Sequence, residues 1–243
     1  MQELSVVIPT FNERENIEVL VPRIQQVFRD HAIDGEIIIV DDRSSDGSHE
    51  VLTRMAQEMP NVRVRFREPP NSIARSWHEG FSMAAKENIV CIDADLCHDP
   101  NEFPRMLREL GSVDIVIGSR YMAPGALVMK DKSKLARYTS YVGQYITRFT
   151  TGFTETDTSH SFRMFKRGVF EAIKGRLSRE GNVFLIEFLM YAKREGFRVT
   201  EIPIEYGKRI YGETKLKVFK EGMRYLGFIA RILLLRLVSR RTS

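Results

Sequence analysis

Ile89-Val90-Cys91-Ile92-Asp93-Ala94-Asp95-Leu96-Cys97-His98-Asp99 is the stretch on which the reading of this chain turns. An apolar run, residues 89–92, ends in two carboxylates, Asp93 and Asp95, one residue apart. A strand buried on both faces of a parallel sheet has this form: a short β-rich run, then polar residues at its carboxyl end. Ligands of open α/β sheets bind at that end. Two strand-phase carboxylates one residue apart point to the same side. One can hold a hard divalent cation while the other reaches a sugar or ribose hydroxyl. The competing reading makes the pair a cap for the next helix. Asp99-Pro100-Asn101-Glu102 already supplies an N-cap, a proline at the first helical position and a first-turn acid. Asp93 and Asp95 are therefore expected to form a metal–nucleotide site.

Upstream, residues 4–8, 36–40 and 62–66 read as further strands. The first is followed by a loop at 9–13, the second by Asp41-Asp42-Arg43-Ser44-Ser45-Asp46-Gly47, the third by Arg67-Glu68-Pro69-Pro70-Asn71. Polar, turn-rich runs after buried strands are site-facing loops. Ile17, Leu20, Val21, Ile24, Val27 and Phe28 recur at helical spacing, and Pro22 within that pattern is expected to kink the helix. Asn12 with Glu15 three residues on predicts a capping box. A helix over about 73–86 then delivers the chain to the central strand. This β-α-β-α-β-α-β order predicts a parallel doubly wound sheet. No G-x-G-x-x-G or G-x-x-x-x-G-K-[ST] is present, so neither a dinucleotide fold nor a P-loop enzyme is indicated. In a phospho-acceptor signalling domain the acid pair closes the first strand, and the domain needs about half this length.

Downstream, the spacing predicts helix over 101–110, strand over 113–117 and then Gly118-Ser119-Arg120. An arginine there presents a planar fork to a diphosphate, or pairs with a neighbouring carboxylate. Residues 122–133 contain Pro124, Gly125, Lys130 and Lys132 without a period and are expected to form a mobile basic loop. Helix is predicted over 135–149 and 183–192, the latter carrying Glu187, either functional or paired. Short strands are expected at 164–165 and 200–204. In the C-terminal stretch Lys217, Lys220, Arg224 and Arg231 share one helical face, with Leu226, Ile229, Leu233 and Val238 elsewhere. That pattern fits a helix lying in a membrane interface. Two alternatives are a final helix packed on the domain and a chain ending before membrane-spanning segments.

The 243 residues suit one large α/β domain, with ordinary globular shares of 43% hydrophobic and 28% charged residues. The net charge of +5 is modest but basic toward the C-terminus. No uncharged apolar stretch reaches the roughly 18 residues of a membrane span. A signal peptide is not expected, because a strand-like run starts at Leu4. Cys91 and Cys97 match neither a disulfide framework nor zinc spacing, so a reduced, cytosolic setting is expected.

Taken together, six motifs resemble the family 2 glycosyltransferases of GT-A fold, and within them the dolichol- or polyprenyl-phosphate mannose synthases. They are Val6-Val7-Ile8-Pro9-Thr10-Phe11-Asn12-Glu13, Val40 to Gly47, Asp93-Ala94-Asp95, Gly118-Ser119-Arg120, Asp157 with Phe162-Arg163, and Arg209-Ile210-Tyr211-Gly212-Glu213-Thr214-Lys215. They fall in the family's order over about residues 4–220. The resemblance implies a mostly parallel, Rossmann-like α/β sheet flanked by helices, with 1–220 as the catalytic domain and 221–243 as a basic amphipathic helix. It implies inverting transfer of a hexose, mannose from GDP-mannose or otherwise a hexose from a UDP-sugar, to a polyprenyl or dolichyl phosphate. Binding of the nucleotide sugar without turnover is the non-enzymatic alternative.

By the same resemblance Pro9, Phe11, Glu13 and Asp42 hold base and ribose, and Asp93 and Asp95 hold nucleotide and Mg²⁺ or Mn²⁺. Arg120, Arg209 and Lys215 meet the donor diphosphate or acceptor phosphate, the latter joined by Arg137 and Ser140. Asp95, Arg120, Arg209 and Lys215 are the implied catalytic set. Peripheral attachment to the cytoplasmic face of a membrane is expected, and no nucleic-acid partner. A phosphate monoester acceptor is already anionic, so it needs cations more than a general base. His160 accordingly reads as a pocket-lining loop residue. A processive polysaccharide synthase is disfavoured, because Gln-x-x-Arg-Trp is absent and the only tryptophan is Trp77. Three departures stand out. Cys97 replaces the family's metal-binding Gln, and a thiol suits a hard cation poorly. Asn71-Ser72-Ile73-Ala74-Arg75 replaces a glycine-rich, lysine-containing turn. His160-Ser161-Phe162-Arg163 replaces Ser-Gly-Phe-Arg.

Overall fold

The computed structural model describes residues 2–122, 134–181, 183–207 and 218–239, with the backbone alone for 134–139, 218–220 and 234–239. Strands β1 (Gln2–Thr10), β2 (Ile33–Asp41), β3 (Val62–Phe66) and β4 (Asn88–Cys91) alternate with helices α1 (Arg14–Asp30), α2 (Ser48–Glu58) and α3 (Ile73–Met83). Then follow α4 (Phe103–Leu110), β5 (Ile115–Ser119), α5 (Lys134–Thr151), β6 (Arg163–Lys166), α6 (Arg167–Ile173), α7 (Val183–Arg194), β7 (Val199–Pro203) and α8 (Val218–Ser239). The seven strands order as β3-β2-β1-β4-β6-β5-β7. The chain steps from β1 outward to β3, then returns to β1's other side with β4. That reversal opens a crevice at the carboxyl ends of β1 and β4, where such sheets bind ligands.

Alternation along the strands divides the core. Val6, Ile8, Ile37 and Ile39 face a layer with Ile17, Leu20, Phe28 and Phe103. Val7, Ile38 and Val40 face Trp77, Phe81, Phe184 and Phe188. Gly80 lets α3 approach the sheet, since a Cβ there would lie 2.3 Å from Val7 Cγ1.

Several finer expectations need correction, but the sheet is mostly parallel as expected, with β6 running antiparallel between β4 and β5. Arg163, its first residue, pairs with Cys91 and with Ile117, so the preceding loop is delivered to the carboxyl ends of both neighbours. Pro9 and Thr10 belong to β1 rather than to a loop. The predicted capping box does not form. Asn12 instead accepts a hydrogen bond from Ser45 N (2.7 Å), and Asp46 accepts from Arg14 N (3.0 Å), so the cap comes from the β2–α2 loop. The helix expected from 101 opens with a 3-10 turn, Pro100–Glu102, capped as predicted by Asp99, and α3 ends at Met83 rather than 86. Glu187 is paired, accepting from Ser178 N (2.8 Å). Neither cysteine is in a disulfide, and both are buried.

Helix α8 packs on the domain through Phe228, Ile229 and Ile232. Arg224, expected on a free basic face, is instead tied to Glu221 (2.6 Å) and Glu180 (2.7 Å). The side chains of Lys217, Lys220 and Val238, and residues 123–133 of the loop expected at 122–133, lie outside the described residues. Among the described residues no helix is long and apolar enough to cross a membrane.

Candidate active site

The carboxylate pair sits just past the end of β4, on a turn rather than in strand phase. The turn separates the two roles. Asp95 is buried and its Oδ1 accepts from Cys97 N (3.1 Å). Asp93 Oδ2 accepts from Ser161 Oγ (2.7 Å). Asp93 Oδ1 is buried with no hydrogen-bond partner among the described residues. Burial, reinforced by the nearby Asp95 charge, pushes the Asp93 carboxyl above the usual carboxylate range. An oxygen so placed is costly unless a cation meets it. Two hard carboxylates, one with an unclaimed oxygen, fit Mg²⁺ or Mn²⁺. Among the described residues no cluster of three acidic, histidine or cysteine side chains could complete an all-protein cage.

Behind the pair runs a chain of hydrogen bonds that no sequence pattern announced. His160 Nδ1 lies 2.6 Å from Gly118 O, which places the proton on that nitrogen. His160 Nε2 therefore accepts from His98 Nε2–H across 3.0 Å, and His98 Nδ1 accepts from Asp93 N (3.3 Å). Burial holds both imidazoles below their ordinary pKa, His160 well below, so each stays neutral. His98 also stacks on Phe162, centroids 4.8 Å apart. The relay joins the β4 turn to the end of β5. A Cβ on Gly118 would lie 2.8 Å from Phe162 Cδ1, so glycine is needed where the layers close.

At the end of β5, Arg120 meets a carboxylate after all, and the partner is Asp157. Arg120 Nε and Nη2 donate to Asp157 Oδ2 (2.7 Å) and Oδ1 (2.9 Å), and Arg120 N donates to Oδ2 (3.2 Å). The guanidinium lies between the Tyr121 and Tyr206 rings, 5.5 and 5.6 Å from their centroids. Despite burial, the Asp157 charge holds the Arg120 pKa above its ordinary value. Its Nη1 makes no hydrogen bond among the described residues, leaving one edge of a fixed cation for an anion. Asp157 is itself 0% exposed and anchored, since Glu201 accepts from its N–H (2.9 Å) and Gln144 reaches its Oδ1 (3.4 Å). Arg163, also fully buried, donates to His160 O (2.6 Å), Leu185 O (2.9 Å) and Thr158 O (3.4 Å). Burial pulls its pKa down to about 10. Arg163 thus shapes the 157–162 loop rather than serving a ligand.

On the β1–β2 side, Asp41 accepts from Ser44 N (2.9 Å) and Thr10 Oγ1 (3.2 Å), and Ser44 Oγ accepts from Asn12 N (2.7 Å). Asn12 and Arg43 take positive φ in these loops, as Leu96 does in the turn after β4, a strain that clusters at functional sites. Phe11 is exposed beside buried Pro9, and Glu13 accepts from Asn16 Nδ2 (2.6 Å). Asp42 differs from its expected role. Its carboxylate takes Arg67 Nη1 on one oxygen and Ser72 N (2.7 Å) on the other, while its carbonyl accepts from Asn71 Nδ2 (2.9 Å). The altered Asn71–Arg75 turn is thus what closes around Asp42. Burial outweighs the Arg67 charge and raises the Asp42 pKa. Ser140 meets Tyr121 Oη at 2.6 Å, next to Arg120. Arg209, Lys215 and the Arg137 side chain lie outside the described residues.

The structure therefore brings Asp93, Asp95, Arg120 and Ser140 to the carboxyl edge of β4 and β5 and keeps Pro9, Phe11, Glu13 and Asp42 at that of β1 and β2. His98, Asp157, Ser161 and Tyr206 are the members that residue patterns did not single out as ligands. The available signal was that His98 lies beside the Asp93–Asp95 motif while Asp157 and Ser161 lie within the quoted 157–163 segment.

Residues 5–174 match Glycosyl transferase family 2. The chain is 29% identical over 214 residues to the undecaprenyl-phosphate mannosyltransferase of Micrococcus luteus, covering 86% of each. It is 30% identical over 217 residues to the dolichol-phosphate mannosyltransferase of Mycosarcoma maydis, covering 87% of this chain and 73% of that one. Its fold is that of GT-A enzymes. A mannosyltransferase from Pyrobaculum calidifontis, solved with GDP-mannose and Mn²⁺, superposes with a TM-score of 0.60 at 19% identity, over 86% of this chain and 57% of that one. Glucosyl-3-phosphoglycerate synthase from Mycobacterium tuberculosis, solved with Mn²⁺, UDP-glucose and phosphoglyceric acid, gives 0.68 at 14% identity, over 95% and 79%.

Proposed function

Since the chain belongs to glycosyl transferase family 2 and is a glycosyltransferase, we propose that it moves mannose from GDP-mannose to a polyprenyl phosphate, inverting the anomeric carbon. The observation that carries the acceptor class is the 29–30% identity, over 86–87% of the chain, to two lipid-phosphate mannosyltransferases. In the proposed reaction an acceptor phosphate oxygen attacks the anomeric carbon while the bond to the nucleoside diphosphate breaks. A phosphate monoester carries about −1.5 to −2 charge at neutral pH, so no protein base is required. That agrees with a site whose two nearby imidazoles are buried, neutral and bonded to each other.

Asp93 and Asp95 would hold the divalent cation, which when bound neutralises charge on the departing diphosphate. Asp157 keeps Arg120 charged and fixed, and its remaining edge meets a phosphate. Ser140 and Arg137 are assigned to the acceptor phosphate, Arg209 and Lys215 to the phosphates of either substrate. Pro9, Phe11 and Glu13 flank the nucleoside, with Asp42 supporting that wall through Arg67 and Ser72 rather than meeting the base with a spare oxygen. Residues 1–220 form the proposed transferase unit and 221–243 its closing helix, working at the cytoplasmic face of a membrane.

A thermal-shift panel of GDP-mannose, GDP, UDP-glucose and UDP, each with and without Mn²⁺, tests the donor. We expect a metal-dependent rise with guanosine compounds alone, followed by transfer of labelled mannose to a polyprenyl phosphate. A rise confined to uridine compounds would reject the donor, and label that stays in GDP-mannose when lipid phosphate is added would reject the acceptor. Cys97→Gln supplies an amide oxygen where the thiol now stands. The Mg²⁺ concentration for half-maximal rate is expected to drop by about tenfold, the scale of a ligand-sphere change. An unchanged metal titration would show that position 97 does not reach the cation.

A further inference from the structure

Asp93 is tied down twice by two consecutive residues, His160 and Ser161. The register of β6 against β4 explains how they reach it. Arg163 pairs with Cys91 in the antiparallel ladder, and the same alignment continued past both strand ends sets Ser161 opposite Asp93. Ser161 Oγ donates to Asp93 Oδ2 (2.7 Å), while Asp93 Oδ1 is buried with no hydrogen-bond partner among the described residues. On the backbone side, Asp93 N–H donates to His98 Nδ1 (3.3 Å), and His98 Nε2–H donates to His160 Nε2 (3.0 Å). His160 Nδ1–H then ends the chain on Gly118 O (2.6 Å).

The same loop also fixes Arg120, through Asp157 (2.7 and 2.9 Å). One stretch of five residues therefore sets both a carboxylate with a spare oxygen and the guanidinium two residues beyond Gly118. His160 and Ser161 are buried, and these hydrogen bonds go to protein atoms. At these positions the chain carries His-Ser where the family motif has Ser-Gly. Glycine has no hydroxyl to offer Asp93, and a serine at 160 is too short to bridge Gly118 and His98. A carboxylate that ligates a metal is itself held by outer hydrogen bonds, which fix its orientation and leave one oxygen aimed at the ion. Ser161 occupies Oδ2 and leaves Oδ1 in that way.

We propose that Ser161 and His160 are positioning residues for the divalent cation: together they lock Asp93 so that Oδ1 alone is presented to the metal, in a fixed relation to Arg120. Ser161 acts directly on the carboxylate, and His160 acts at one remove, through His98 and the Asp93 backbone. This rests on the reading of Asp93 and Asp95 as cation ligands and adds which neighbours prepare them.

The test titrates the full chain with Mn²⁺ in the presence of GDP, or of UDP if the thermal-shift panel selects it. Free Mn²⁺ is counted by its electron paramagnetic resonance signal, so the readout is independent of turnover. Ser161→Ala should weaken Mn²⁺ binding by about tenfold, the scale on which outer hydrogen bonds to a metal ligand act. Ser161→Thr keeps the hydroxyl and should restore most of the affinity. His160→Ser breaks the bridge to His98 and should weaken Mn²⁺ binding in the same direction, with the Ser161 contact still in place. Nucleotide binding measured in EDTA should stay at the wild-type level in Ser161→Ala, which a general loosening of the site would not allow. Wild-type Mn²⁺ affinity in Ser161→Ala or in His160→Ser would overturn the proposal. So would a loss in Ser161→Thr equal to that in Ser161→Ala, or an equal loss of metal-free nucleotide binding. Wild-type protein that binds no Mn²⁺ with either nucleotide would overturn the cation reading itself, and the proposal with it.

Discussion

Asp95→Ala is expected to lower the transfer rate by on the order of a thousandfold or more, the size of effect that follows from several kcal/mol of lost charge stabilisation at a metal site. Asp95 Oδ1 accepts a backbone hydrogen bond from Cys97, a kind of bond worth about 1 kcal/mol. Activity should collapse far beyond what the loss of such a bond does to the melting temperature. Radiolabel transfer from GDP-mannose, beside a melting curve, separates the two. The Mn²⁺-dependent part of the nucleotide shift should disappear with the activity. A variant that keeps a tenth of the wild-type rate would place the cation and its chemistry elsewhere.

Asp157→Asn should damage both stability and activity, because this carboxylate is wholly buried and neutralises a guanidinium that is nearly so. Removing one member of a buried ion pair costs about 3–5 kcal/mol, most of it from the charge left behind. In urea the midpoint should fall accordingly, and kcat/KM should drop by about a hundredfold as Arg120 loses its fixed orientation. The informative comparison is Arg120→Met/Asp157→Leu. Replacing the pair by apolar side chains should recover most of the stability and none of the activity. If that double variant retained transfer, the pair would be scaffolding alone and the phosphates would be met elsewhere.

Much of this was legible before any coordinates, for definite reasons. The buried strands 4–8, 36–40 and 89–92 are apolar runs that only a two-sided core accommodates, and each ends in the polar residues a ligand crevice requires. The Asp93-Ala94-Asp95 pair carried its own signal, because Asp99 already capped the next helix. Capping at α1 failed as an inference because Asn12 and Asp46 act across two loops, 33 and 32 residues from their partners. A local pattern cannot see such a partner. The same holds for Asp42, whose partners Arg67 and Ser72 lie 25 and 30 residues away. It holds also for Arg120, whose neutralising carboxylate is 37 residues on.

What the sequence determined by itself is the succession of elements and the edge of the sheet that carries chemistry, since periodicity and turn chemistry are local properties of the chain. Tertiary structure decided the rest. It inserted β6 antiparallel between β4 and β5, and only that placement brings Asp157, His160 and Ser161 to Arg120, Gly118 and Asp93. It also decided which way α5 faces. Helical spacing in 141–149 reveals an apolar stripe but not whether core or surroundings receive it. That depends on what else competes for the interior, and here the inward place went to Gln144, Thr147 and Thr150, whose hydrogen bonds are satisfied by the loop and helix they touch.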